Sequence, residues 1–320
     1  MTATFVTTGP GPIVVAGSLN MDLVMRLPRV PGPGETLSGH DFSTVPGGKG
    51  ANQAVACARM GAPVAMVGRV GADANGRTLL DALKTDAIDG TQVAALDGVS
   101  TGVAIILVED DGQNRIALAA GANGRLDEGA IDVAGPTIER AAMLVMQLEV
   151  PMPAVLRAAR RARAAGVPVL LNAAPVAALP DALWALVDTL VVNETEAAAL
   201  AALPADNPRD AQIAAAALCA RGPARVIVTL GANGVVAYEC ALGGRHWPAH
   251  RVDVVDTTAA GDTFIGALCA ALREGAPLVD AIALGQAASA LCVTRPGAQP
   301  SIPYRGELVG AYAPRKDNSA

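Results

Sequence analysis

The chain has 320 residues, 52% of them apolar and only 17% charged, which suits a large buried core and excludes a disordered chain. Aromatic residues make up 2% and the net charge is −6, so neither a stacking platform for nucleic-acid bases nor a basic surface for DNA or anionic lipid is available. Five dispersed cysteines without a C-x-x-C pair, and no apolar run of ~18 residues, lead us to expect a soluble, cytoplasmic protein with reduced thiols.

Residues 1–12 lack the basic and apolar segments of a signal peptide and read as a tail. "IVVAG" (13–17) is short, β-branched and uncharged, as in a strand covered on both faces. Residues 22–46 carry Pro and Gly among short alternating pieces, and helical spacing follows at 49–60. A strand at 62–68 and a helix at 73–87 precede a hairpin at 101–119, turning at Asp111-Gly112. Helical spacing returns at 127–140, 152–165, 194–202, 208–221, 260–273 and 277–292, with strand-like runs at 142–147, 167–172, 189–193 and 225–230. This alternation predicts a doubly wound α/β fold: a mostly parallel sheet flanked by helices. The pieces at about 20–46 and 101–119 have no crossover helix and are expected to form a small antiparallel β lid. No linker divides the chain, so one domain over 13–312 is expected, with a second tail at 313–320.

In such sheets ligands sit beyond the carboxyl ends of the strands. Polar motifs fall there four times: "GSLNMD", "NAAP" (172–175), "NETE" (193–196) and "TLGANG" (229–234). "DTTAAGDTF" (256–264) opens a helix with small residues. Free amides and the positive end of the helix dipole would meet an anion there, with Ala259, Ala260 and Gly261 leaving room for it. Asp262 in that turn could take a proton from a hydroxyl attacking a phosphoryl group. Capping by Thr257 or Thr258, with Asp262 a favourable first-turn charge, explains the same letters nearly as well. "PGGKGANQAVA" (46–56) is not a Walker loop. Its glycines could admit a polar ligand to Lys49 and Asn52, or simply form a turn. Asn193 and Glu196 suit a hydrated Mg²⁺ or a helix cap.

Taken together, "GSLNMDLV", "GGKGANQAVA", "NETEA", "TLGANGV", "DTTAAGDTF" and "VTRPGAQPSIP" resemble the ribokinase branch of the ribokinase/phosphofructokinase-B carbohydrate kinases, over roughly residues 13–305. The resemblance implies ATP-dependent phosphorylation of D-ribose at its 5-hydroxyl. Asp262 would be the base, and the amides of Ala259, Ala260 and Gly261 the anion hole. Asn20, Asp22, Gly48, Lys49, Asn52 and Glu149 would bind the sugar. Asn193, Glu196, Thr229, Gly231 and Gly234 would line the nucleotide side, with Glu196 acting on Mg²⁺ through water. Asp256, Thr258, Cys292, Arg295, Gly297 and Ser301 would hold K⁺, mostly through carbonyl oxygens. A homodimer joined through the lids is implied as well. Three positions depart from the family pattern: Ala173 within "LNAAPV", Pro296, and Gln286 on the adenine side. A kinase of deoxyribose, another sugar or a nucleoside, and a catalytically silent sugar sensor, are the alternatives.

Overall fold

The computed structural model describes residues 11–110 and 113–311. From the amino end the elements are β1 (Ile13–Ala16), β2 (Asn20–Leu27), β3 (Asp41–Gly47), α1 (Lys49–Arg59), β4 (Val64–Gly71), α2 (Ala74–Thr85), β5 (Asp89–Leu96), β6 (Gly102–Glu109) and β7 (Asn114–Ala119). The middle of the chain gives α3 (Glu128–Val133), α4 (Gly135–Glu139), β8 (Met143–Met146), α5 (Met152–Ala164), β9 (Val169–Asn172), α6 (Asp181–Trp184), β10 (Thr189–Asn193) and α7 (Glu194–Ala201). It closes with α8 (Pro208–Cys219), β11 (Arg225–Thr229), β12 (Val235–Glu239), β13 (Gly243–Trp247), α9 (Ala260–Arg273), α10 (Leu278–Cys292) and α11 (Arg305–Ala311).

Among the described residues, nine strands form one sheet in the order β13-β12-β11-β10-β9-β8-β1-β4-β5. It is parallel from β5 to β11, and β12 and β13 add an antiparallel edge. Alternate residues of each strand face opposite layers, which is why these runs read as continuously apolar. Val14 and Ala16 of β1 join the core beneath α3, α5 and α8, whereas Ile13 and Val15 join the core beneath α1, α9 and α10. The doubly wound fold expected from the alternation is therefore present. Strand order reverses at β1, which lies between β4 and β8. That reversal opens a crevice beyond the carboxyl ends of β1 and β8, the usual ligand position in open α/β sheets.

The lid is a second sheet, β3-β2-β6-β7. Its outer pairs run antiparallel, and the central β2–β6 pair runs parallel. The turn expected at Asp111-Gly112 lies outside the described residues, as do most of the two expected tails; Val108 stands opposite Asn114 on either side of that turn. Asp22, Ala104, Ile106, Ile116 and Leu118 face the crevice.

Two expectations are corrected. The helix read across 127–140 is two short helices parted at Ala134, because Pro136 brings no N–H to continue the ladder. The cysteines are not all free thiols: the end of α8 meets the end of β12, and Cys219 and Cys240 pair as a disulfide with Cα atoms 5.9 Å apart. Cys57, Cys269 and Cys292 are free and buried.

Candidate active site

Beyond β1 the chain must bend sharply into the lid, and α1 starts against that bend. Gly48 adopts φ +89°, and a Cβ there would lie 2.7 Å from the Asn20 amide nitrogen, so only glycine fits. This close approach gathers the first polar group. Glu149, following β8, accepts from the Ser18 hydroxyl (2.6 Å) and the Lys49 amide (3.1 Å). Asn20 is oriented by Asn123, whose Nδ2 donates to Asn20 Oδ1 at 2.7 Å. Asp22 Oδ1 and Asn52 Oδ1 are buried with no hydrogen-bond partner among the described residues. A buried acceptor is normally satisfied, so these two are left for donors from outside the chain. Both residues line a cavity of about 650 Å³ under the lid, with Lys49, Glu149 and Asp262.

The charges there oppose one another. Burial pushes Asp22 up to about 7, helped by Glu149 and Asp262 and opposed by Lys49. Burial works against the Lys49 ammonium, yet Asp262, Glu149, Glu196 and Asp22 together outweigh it and raise its pKa. The lysine is thus held charged in a nest of carboxylates.

α9 begins in an unusual way. Its N-cap is Ala259 at φ 59°, with no side chain capping it, so capping by Thr257 or Thr258 is overturned. The Ala260 amide donates to the Thr257 carbonyl (3.2 Å), while the amides of Ala259 and Gly261 have no partner among the described residues. A Cβ on Gly261 would meet nothing within 4 Å, so open space lies in front of it. Asp262, one residue on and 7% exposed, accepts from Asn52 Nδ2 (3.1 Å) and Gln53 Nε2 (2.9 Å).

A second cavity of about 800 Å³ lies on the far side of this helix start, walled by Gly234, Gln286 and the loop 248–252. The two cavities share Thr229, Gly231, Thr257, Ala260 and Gly261. The N-terminus of α9 is therefore where they meet. Gln286 donates to the carbonyls of Trp247 and Pro248 (3.3 and 3.0 Å), tying its helix to that loop. Asn193 and Glu196 form a capping box at the start of α7, so the cap reading holds; both also wall the smaller cavity. Burial raises the Glu196 pKa against the hydrogen bond from the Asn193 amide.

The six residues assigned to a cation are brought together behind the helix start. Asp256 accepts from the amides of Thr258 and Gly297, both at 2.9 Å. Burial opposes its charge, but these hydrogen bonds hold its pKa below the usual carboxylate range. Cys292 Sγ lies 3.1 Å from Ser301 Oγ and 3.8 Å from the Thr258 carbonyl, and the Arg295 side chain turns outward to Glu307 (2.7 Å). A carboxylate held ionised by backbone N–H donors, with the Thr258 carbonyl close by, offers hard oxygens of the kind an alkali cation takes.

Sequence reasoning missed Ser18, Asn123, Gln53 and Gln147. Gln53 lies inside "GGKGANQ", where Lys49 and Asn52 carry the stronger ligand signal. Gln147 ends an apolar run, where a lone amide gives no signal beyond being polar in a core.

The chain matches the pfkB family carbohydrate kinase profile over residues 12–305. It is 42% identical to a ribokinase of Haemophilus influenzae, over 93% of this chain and 97% of that one. A ribokinase of Schizosaccharomyces pombe is 43% identical, covering 95% and 99% respectively. The structure superposes on that of Arabidopsis thaliana ribokinase complexed with ribose and ATP with a TM-score of 0.88, at 33% identity over 93% of this chain and 97% of that one. A switch-point crevice, two cavities joined at an uncapped helix start, and this kinship over nearly the whole length agree: the chain belongs to the pfkB family of carbohydrate kinases.

Proposed function

We propose that this chain transfers the γ-phosphoryl group of ATP to the 5-hydroxyl of D-ribose, giving ribose 5-phosphate and ADP. The observation that carries this reading is the placement of Asp262 on the smaller cavity, one residue past Gly261, which lines both cavities and whose amide has no partner among the described residues. The ribokinase relatives support the choice of sugar and nucleotide.

Ribose takes the smaller cavity, where each partner-less acceptor receives a hydroxyl. Asn20, Asp22, Lys49, Asn52 and Glu149 orient the sugar, with the backbone at Gly48 close beside it. Asp262 accepts the proton of the attacking hydroxyl late, as a loose transition state allows. The amides of Ala259 and Gly261, with the dipole of α9 behind them, face the charge that develops on the transferred group. In that role Ala260 contributes chiefly its small side chain. The nucleotide takes the larger cavity, against Gly231, Gly234 and Gln286, with Thr229 on the shared wall.

Glu196 and Asn193 would hold Mg²⁺ through water, neutralising charge on the phosphate oxygens. Asp256, Thr258, Cys292, Arg295, Gly297 and Ser301 would hold K⁺, adding positive charge behind the helix start. On this reading residues 13–312 work as one cytoplasmic catalytic unit. Its lid exposes Met25, Phe42 and Ile105 on the face away from the crevice, an apolar strip suited to pairing with a second copy. Among the described residues, no helix is long and apolar enough to cross a membrane.

The test is ADP release from ATP across ribose, deoxyribose, fructose and adenosine. Ribose is expected to give the highest kcat/KM. A higher value for another acceptor would move the function to a sibling kinase, and no release with any would favour a silent sensor.

A further inference from the structure

Asp262 is the end of a line of buried amides that runs along the carboxyl edge of the sheet. Asn172, ending β9, gives its Nδ2–H to the Val191 carbonyl of β10 at 3.1 Å. Its Oδ1 is thereby turned to Gln53, whose Nε2 donates to it at 3.0 Å and to Asp262 Oδ1 at 2.9 Å. With Gln53 Nε2 so committed, Gln53 Oε1 must face the other way, and it accepts from Gln147 Nε2 at 2.5 Å. Gln147 Oε1 in turn stands against Gly17, where a Cβ would come within 2.1 Å of it. Each amide has one donor side and one acceptor side, so setting the first orientation sets all of them.

Gln53 and Gln147 have no exposed surface and line neither cavity. They cannot touch a sugar or a nucleotide. From this line we infer that Gln53 and Gln147 are positioning residues, which set the rotation of the Asp262 carboxylate so that Oδ1 stays occupied and the carboxylate stays aimed at the acceptor hydroxyl. Asn52 holds the other oxygen from the cavity side. The line ties the base to Gln147 just past β8, Asn172 at the end of β9 and Val191 within β10, rather than to the loop before α9. The inference rests on the phosphoryl-transfer reading, and its test separates the two.

Gln53→Met keeps the volume and removes the donor. In the full-length protein, kcat for ribose phosphorylation is expected to fall about tenfold or more, the scale of a slightly misaimed catalytic group. The Kd for ribose by calorimetry stays within about twofold of the wild type, since truncating a group that makes no ligand contact leaves binding intact. Gln147→Met, one step further away, lowers kcat in the same way. The double variant is no slower than Gln53→Met alone, because residues acting in series do not add. Full kcat in Gln53→Met, or losses that multiply in the double variant, overturns the inference. Should Gln53→Met fail to fold, Gln147→Met decides alone: reduced kcat at unchanged ribose Kd supports it, and unchanged kcat overturns it. A wild-type protein without ribose-dependent ADP release defeats the phosphoryl-transfer reading instead.

Discussion

Asn52 donates to Asp262 across 3.1 Å, although 210 positions separate them in the chain. The contact joins the first turns of α1 and α9 and sits on the wall of the smaller cavity, so one amide both steadies the proposed base and lines the cavity proposed for the sugar. Asn52→Ala should lower kcat/KM for ribose about 10- to 100-fold, since a hydrogen bond to a charged group contributes about 1.5–3 kcal/mol. Steady-state kinetics check this; a change of less than threefold would place Asn52 outside the site.

Asp22 supplies a pH dependence. Its pKa is raised by burial to about 7, against an ordinary value of 3.8. The folded protein therefore holds a proton that the unfolded chain releases above pH 3.8. The resulting stability is fully present below that value and is lost as pH rises through 7. If ribose hydroxyls donate to the ionised form, as proposed, ribose affinity should move the opposite way, weakening about tenfold between pH 8 and pH 6. Asp22→Asn should weaken ribose binding and flatten both trends, and should raise the melting temperature of the ligand-free protein at pH 8. Calorimetry at the two pH values reads both effects; equal ribose affinity at pH 6 and pH 8 in the wild type would contradict the account.

The two helices that carry Asn52 and Asp262 owe their spacing to Gly266. A Cβ at that position would lie 2.3 Å from the Ala56 Cβ and 2.7 Å from the Cys57 nitrogen. Gly266→Ala must push α9 away from α1, and overpacking of this kind destabilises by about 1–3 kcal/mol. Urea unfolding should show that loss, with turnover falling as Asp262 leaves Asn52. Wild-type stability and turnover together would show that the helices tolerate separation.

The loop before α9 gives a test with ions. If Asp256 and its neighbours hold K⁺ behind the helix start, exchanging K⁺ for tetramethylammonium should depress kcat several-fold, because the bulky ion offers no open coordination positions to oxygen ligands. Asp256→Ala should be slow in either salt. Equal rates in both salts would leave the site without a cation role.

Much of this was legible in the sequence because the fold and the site use strong local signals. Strands buried on both faces give uninterrupted apolar runs, and β1, β8, β9, β10 and β11 all fall within a few residues of the expected spans. Glycine clusters and strand-end amides marked Lys49, Asn52, Asn193 and Asp262, and the structure brings all four to one cavity wall. What stayed hidden depends on distant contacts. The partners of Gln53 lie 94, 119 and 209 residues away, so nothing near it in the chain announces its task. The disulfide is illegible for the same reason, since Cys219 and Cys240 meet only because α8 packs along β12. The edge strand β5, "DGTQVAAL", is half-exposed and mixes polar with apolar residues, and so lacks the run that marks its neighbours.

The most direct measurement is the turnover of Asp262→Ala beside its ribose binding. Removing a general base should lower kcat by about 10²- to 10⁴-fold, while calorimetry still detects ribose bound to the remaining sugar contacts. Turnover within threefold of the wild type, in a protein that binds ribose normally, would remove Asp262 from the chemistry and the proposed mechanism with it.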